Sequence, residues 1–311
     1  MYKEQWEYFH KLHQRIILFY KFVRLNNLEK FKEDHLKTLN KLGVFGRVLF
    51  AKEGINGSVA GTEEQIEEYK KYLIKHSEFS DLKFKEEIGL TSPFTRRKVL
   101  IKKEIVTLRK EVDLTKRGRY ITPDELTKLY EKNEDFVIID ARNDYEYEVG
   151  RFKNAIKSGI NKFSDFPQAI KKFENLKNKK VVIYCTGGIR CEKASALMIQ
   201  DGFKEVYQLK EGIINFYQEK PNTNWEGKCF VFDLRMQTED SKEKSITHCK
   251  ICNNFCDLYR NCRNPECDKM TIICRECNEK KQGCCSDDCF DQYKDICKEK
   301  SNKSQGNFIP K

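Results

Sequence analysis

The chain has 311 residues, 39% hydrophobic and 12% aromatic, enough for two or three domains with buried cores. No run of about 18 apolar residues occurs, so no membrane-spanning helix is expected; Met1 to His13 lacks the apolar stretch of a signal peptide, so the expected compartment is the cytoplasm. The net charge of +11 suits a polyanionic partner such as RNA, although solubility alone accounts for such a balance as well.

Ile16 to Phe22 reads as a buried strand, and Leu28 to Leu42 has the apolar spacing of a helix, punctuated by Gly43. Phe45 to Phe50 and Ser58 to Ala60 read as two strands, joined through Ala51 to Gly57 with Asn56-Gly57 as the turn signal. Thr62 and Gln65 form a capping box for a helix reaching about Lys75. A strand near Leu82 to Lys85 completes the order β-α-β-β-α-β, the ferredoxin-like arrangement. Residues 1–92 are thus expected to form a ferredoxin-like (acylphosphatase-like) α+β domain. Residues 93–119 form a connector, in which Lys98 to Leu108 is extended or an extra strand.

Residues 120–225 are expected to form a parallel α/β domain. Thr122 caps a helix with Pro123 at its first position. Phe136 to Ile139, ending in Asp140, and Val181 to Tyr184, ending in Cys185, are continuous apolar runs separated by helical stretches, as in a sheet buried on both faces. Glu192 to Gln200 reads as a helix closed by Gly202, and Val206 to Leu209 as a further strand. Residues 226–311 form a C-terminal extension, with Pro221 to Met236 as a bridge into it, a polar stretch from Thr238 to Ser245, a cysteine-rich module at 249–297 and a final dozen residues expected to be disordered.

The segment Cys185-Thr186-Gly187-Gly188-Ile189-Arg190-Cys191 carries the chemistry. It leaves a buried strand and enters a helix, the place where open α/β sheets bind ligands. Two glycines let the backbone curl so that several N–H groups point inward. The helix N-terminus and Arg190 add positive charge. Such surroundings lower a thiol pKa and hold a thiolate or an anion, which makes Cys185 the expected nucleophile, provided its sulfur is not buried beyond reach. Cys191 reads as packing in the first helical turn, with a resolving-thiol role as the alternative. No flavin or nicotinamide fingerprint occurs.

This loop resembles the active loop of rhodanese domains. Asp140-Ala141-Arg142 with Glu146-Tyr147 resembles the rhodanese D-x-R-x-x-x-E-[FY] signature, and Gly150 with Ala155-Ile156 resembles the segment that follows it. Four motifs in order extend the resemblance to about Ile16 to Cys289: Glu53 to Ser58 (EGINGS), Cys185 to Ser195 (CTGGIRCEKAS), Trp225 to Asp233 (WEGKCFVFD) and the cysteine-rich tail. Together they resemble the rhodanese-domain, oxygen-dependent tRNA uridine hydroxylases, which make 5-hydroxyuridine at the wobble position. The resemblance implies molecular oxygen as co-substrate and a tRNA anticodon loop as partner. It also implies that Asp140 and Arg142 organise the pocket, with a plain internal ion pair as the alternative, and that Glu146 is structural. Asn154 and Glu211 depart from the pattern, standing where glycine is common.

Eleven of the fourteen cysteines lie between Cys249 and Cys297. Without a secretory signal, metal binding or thiol chemistry is expected rather than a disulfide framework. Two C-x-x-C pairs, Cys249/Cys252 and Cys274/Cys277, have zinc spacing, and Cys256, Cys262, Cys267, Cys284, Cys285 and Cys289 are further candidates, with His248 in addition. A structural zinc is expected, with reduced thiols or partial disulfides as the alternative. Gly54, Gly57 and Gly61 lack a following Gly-Lys-Ser/Thr and read as turn chemistry rather than a phosphate cradle. Phe45 to Phe50 (FGRVLF) is faintly similar to an RNA-recognition strand, but core packing is expected. Two other readings stand beside hydroxylation: a sulfurtransferase carrying a Cys185 persulfide, and a non-catalytic RNA-binding adaptor built on the tail.

Overall fold

In the computed structural model, residues 14–89, 92–221, 223–229, 246–267 and 269–305 are described. The N-terminal unit contains β1 (Gln14–Phe22), α1 (Leu28–Leu42), β2 (Phe45–Ala51), β3 (Gly54–Gly61), α2 (Glu63–Ile74), β4 (Lys85–Gly89) and β5 (Arg97–Ile101). Its sheet has the order β4-β1-β3-β2-β5. The first four strands make the ferredoxin-like antiparallel set, and β5 adds parallel to β2. Part of the connector therefore belongs to this sheet. The expected capping box is formed, with Thr62 accepting from Gln65 and the Gln65 side chain accepting from Thr62.

One turn lies elsewhere than expected. Strand β3 starts at Gly54, so the hairpin turns at Lys52-Glu53, and Asn56 and Gly57 are strand residues opposite Leu49 and Val48. Gly57 is needed because the Phe19 ring would lie 2.3 Å from an added Cβ. Strand β4 likewise starts at Lys85, where the expected strand ended.

The sheet's two faces differ. Ile17, Phe19, Val48, Ile55 and Val59 pack under α1 and α2. The alternate residues Leu18, Tyr20, Arg47, Leu49, Asn56 and Ser58 point the other way, toward the second unit.

The central unit comprises β6 (Arg119–Ile121), α3 (Pro123–Glu131), β7 (Val137–Asp140), α4 (Asp144–Val149), β8 (Gly150–Phe152), β9 (Ile156–Lys157), α5 (Phe166–Ala169), β10 (Lys180–Tyr184), α6 (Ile189–Gln200), β11 (Glu205–Leu209), α7 (Gly212–Glu219) and β12 (Trp225–Gly227). Five parallel strands are ordered β6-β11-β10-β7-β9, with a separate cluster of buried apolar side chains on each face. This is the expected rhodanese-like architecture. Strand β12 pairs with β8, and Trp225 closes an edge-to-face cluster around Phe152 with Tyr184 and Phe216.

The cysteine-rich module has a two-stranded ribbon, β13 (Tyr259–Asn261) and β14 (Met270–Ile272), followed by α8 (Arg275–Lys280) and α9 (Asp287–Gln305). It packs on Val149 of the central unit, and the Tyr259 hydroxyl donates to the Tyr145 carbonyl. The expected polar stretch Thr238 to Ser245 lies outside the described residues, as does half of the bridge. Of the final dozen residues, expected to be disordered, those up to Gln305 continue α9 and the remainder lie outside the described residues. No described helix is long and apolar enough to cross a membrane.

Candidate active site

Strand β10 delivers Cys185 to the sheet's C-terminal edge, and the chain turns at once into α6. The turn depends on Gly188, whose φ of 93° lies in the left-handed region. Its amide donates to the Cys185 sulfur at 3.2 Å. Gly212 (φ 75°) fixes the loop from the neighbouring element: an added Cβ would lie 2.5 Å from the Cys185 carbonyl and 2.7 Å from the Gly188 nitrogen. The amides of Ile213 and Ile214 donate to the carbonyls of Cys185 and Thr186.

Burial alone pushes the Cys185 thiol up. A hydrogen bond from the Cys191 thiol, the Arg190 charge and the amides of Cys191 and Arg190 outweigh it, lowering the thiol from 9.0 to about 6. Cys191, driven well up by burial and by the facing Cys185, keeps its proton and donates it. It is buried in the first turn of α6, within an apolar cluster of the central unit.

Arg190 forms a bidentate pair with Glu146, at 2.6 and 2.8 Å, and donates to the Thr186 hydroxyl at 3.1 Å. Thr186 in turn donates to Glu146 at 3.2 Å. Glu146, expected to be structural, is thus the residue that anchors the loop arginine. Asp140 and Arg142 form their own fully buried pair, with Nε–Oδ1 and Nη2–Oδ2 distances of 2.9 and 2.6 Å. Arg142 also donates to the Gly150 carbonyl and lies over the Tyr184 and Trp225 rings. Neither residue is among those lining the open space at the loop, so the internal ion pair describes their geometry.

That space is a cleft of about 730 Å³ between the N-terminal sheet and the central unit. Thr186, Gly187, Ile189 and Arg190 form its floor, and Leu18, Tyr20, Arg47, Leu49 and Phe94 are on the opposite wall. No sequence spacing announces this cleft, because its walls come from different units. The units are joined by Lys193, which donates to Glu53 (2.8 Å), Glu104 (2.6 Å) and the Val106 carbonyl (3.1 Å). The hydroxyls of Tyr20 and Tyr120 meet at Glu192 (3.1 and 2.8 Å), and Lys85 donates to the Gly187 carbonyl.

One requirement fails in this conformation. The Cys185 sulfur is fully covered, and Cys185 is not among the residues lining the cleft. The loop backbone touches it through the Gly188 amide. On that backbone, an added Cβ at Gly187 would meet no heavy atom within 4 Å, whereas at Gly188 it would meet the Tyr20 hydroxyl at 2.9 Å.

The cysteine module sorts its sulfurs into two sets of four, Cys249/Cys252/Cys274/Cys277 and Cys262/Cys267/Cys285/Cys289, each with all ligand atoms within 4.8 Å. Sulfur separations of 3.7 Å (Cys252–Cys274), 3.7 Å (Cys267–Cys285) and 3.6 Å (Cys285–Cys289) match the edge of about 3.8 Å that a tetrahedron of 2.3 Å zinc–sulfur bonds requires. Each quartet can hold a metal ion. Three of the expected ligands fall outside both sets. Cys256 is buried and accepts from the Leu258 amide, Cys284 is buried in the packing, and His248 stacks on Phe255.

Three family models match in succession: the UPF0176 acylphosphatase like domain over residues 14–105, the rhodanese-like domain over 122–219 and the rhodanase C-terminal region over 226–290. A protein from Cytophaga hutchinsonii named tRNA uridine(34) hydroxylase is 41% identical, covering 88% of this chain and 89% of its own length. Proteins of the same name from Aster yellows witches'-broom phytoplasma (43% identity; 88% of this chain, 91% of that one) and Bacillus licheniformis (41%; 87% and 86%) are similar along nearly their whole length.

Proposed function

The chain belongs to the tRNA uridine(34) hydroxylase family, and from that premise we propose that Cys185 carries out a molecular-oxygen-dependent hydroxylation at C5 of uridine 34. The protein is an enzyme that modifies tRNA by hydroxylating uridine 34. The reading of Cys185 rests on one observation: a strand-end cysteine whose following loop (Thr186, Gly187, Ile189, Arg190) lines the cleft, with the loop's donors and the Arg190 charge drawing its thiol down to about 6.

The proposed chemistry starts with the thiolate adding to C6 of the uracil. That addition passes electron density to C5, which takes up molecular oxygen; one oxygen atom stays as the C5 hydroxyl, the other leaves as water at the expense of two electrons and two protons from an external two-electron reductant, and loss of the C5 proton with expulsion of the thiolate restores the ring. Arg190 and the inward amides hold the sulfur as an anion before addition and after release. Glu146 is a positioning residue that fixes Arg190. The target base comes from an anticodon loop, whose single strand lets a base enter the cleft without melting a duplex. Access to the sulfur requires residues 186–188 to shift, and the Lys85 hydrogen bond to the Gly187 carbonyl ties them to the facing sheet in the covered position. Each cysteine quartet holds a structural zinc that staples a module poor in aliphatic residues. The enzyme works in the cytoplasm.

The persulfide alternative draws no support from the relatives, which are named hydroxylases across nearly the whole chain. The test is nucleoside analysis of tRNA from cells lacking this protein and complemented with wild type or Cys185→Ser. Wild type restores 5-hydroxyuridine and the variant does not. Restoration by the variant would remove Cys185 from the reaction.

A further inference from the structure

The cleft contains a second pattern that the thiol chemistry does not use. Strand register places Lys98, Arg47, Ser58, Leu18 and Lys85 in one row across all five strands of the N-terminal sheet. Leu49, Asn56 and Tyr20 form the next row. Both rows lie on the face turned away from α1 and α2.

Among the described residues, the charged side chains that line the cleft are all of one sign: five cations (Arg47, Lys85, Arg96, Lys98 and Arg190) and no carboxylate. Arg190 is held by Glu146, and Lys85 by the Gly187 carbonyl. Arg47, Arg96 and Lys98 are exposed and, among the described residues, have no carboxylate within ion-pair distance. Of the other cations on this unit, Arg15, Lys21, Lys32, Lys70 and Lys71 each have an acidic partner. Three unneutralised cations converging on one concave surface attract an anion with several charges. Between them Phe94 offers an aromatic face of the kind on which a base stacks, and Leu18 and Leu49 add apolar surface beside it. A volume of about 730 Å³ exceeds what a lone anion needs and falls within the range of about 300–1,000 Å³ typical of organic-ligand sites.

We infer that this sheet face is a platform for single-stranded RNA. Arg47, Arg96 and Lys98 take the phosphates that flank the reacting nucleotide, Phe94 stacks a base and Leu18 and Leu49 pack against it, so that the target uracil is presented to the loop at Thr186–Arg190. A duplex does not fit this role, because its bases are stacked inward and its phosphates face outward on a convex surface. The inference rests on the hydroxylase reading for the identity of the base, but the binding itself is independent of Cys185.

The experiment uses the full chain and an anticodon stem-loop RNA, with binding followed by fluorescence anisotropy across a salt series. For Arg47→Ala/Arg96→Ala/Lys98→Ala the slope of log Kd against log salt falls by about 2, at about 0.7 per single-strand phosphate contact. KM for tRNA rises while kcat holds. Phe94→Ala weakens binding roughly ten-fold without changing the slope. Lys32→Ala/Lys71→Ala, on the helical face, changes neither. An unchanged slope in the triple variant, with an unchanged melting temperature, would overturn the platform, as would equal affinity for a fully paired duplex. The two readings fail separately. Normal salt-dependent RNA binding without any 5-hydroxyuridine would sink the hydroxylase chemistry alone. Hydroxylation by a triple variant with unaltered KM would sink the platform alone.

Discussion

Two regions of this molecule use cysteine in opposite ways. At the end of β10 a single sulfur accepts from the Gly188 amide, and the Cys191 thiol, the Arg190 charge and the amides of Cys191 and Arg190 draw it down to about 6 despite full burial. In the C-terminal module eight sulfurs face one another in fours, at separations that fit a tetrahedral site. The first arrangement stabilises a lone anion and leaves its reactivity to substrate. The second arrangement, once it holds a metal, has no open position and leaves no place for a substrate. What distinguishes them is the partner of the sulfur rather than its exposure, since Cys185, Cys249 and Cys262 are all buried.

That contrast breaks most visibly at single sulfurs. Cys185→Ser should reduce 5-hydroxyuridine formation by at least about a thousand-fold with little change in thermal stability, read by nucleoside mass spectrometry and calorimetry. Cys277→Ser should do the reverse, unfolding the C-terminal module while the rhodanese-like unit keeps its melting transition. Chelation should have a similar effect, with two zinc ions released per chain and loss of the module's helical signal; finding no zinc in the purified protein would end the assignment. A smaller effect is expected at the charge beneath the loop. Arg190→Leu leaves Glu146 buried without its cation and should cost about 3–5 kcal/mol. It should also raise the Cys185 pKa, since it removes one of the causes of the depression. The pH dependence follows in sign. Because the folded thiol lies below its ordinary 9.0, its stabilising contribution is full above that value and is lost as pH falls toward about 6. Activity should fall through the same lower value. Smallest is Glu211→Gly. Glu211 has φ 62°, so glycine should stabilise the chain by roughly 0.5–1 kcal/mol, measured by denaturant unfolding.

Local patterns were legible in the sequence where local physics decides the outcome. The helix Leu28–Leu42 follows from apolar spacing, and the Thr62 and Thr122 capping boxes from side chains three residues apart. Asn154 and Glu211, which stand where glycine is common, both have positive φ, so those sequence departures mark real backbone constraints. Asn56-Gly57 misled because a turn-forming pair is also what a strand needs where an aromatic ring presses on it, and the Phe19 ring comes from a distant strand. Cys256 and Cys284 looked like ligands because spacing does not reveal which way a sulfur points. The role of Glu146 and the cleft itself depend on contacts between residues about 40 or more positions apart, such as Glu146 with Arg190 and Tyr20 with Glu192, which no periodicity encodes.

The account turns on the ionisation of one thiol, which can be titrated without relying on access to it. The ultraviolet absorbance of thiolate, recorded from acid to alkaline pH for wild type and for Cys185→Ser, isolates this group as the difference between the two curves. An inflection near 6 is the predicted result. An inflection at or above 9.0, the ordinary value for a cysteine, would show that the loop does not hold a thiolate at neutral pH and would contradict the proposed nucleophile.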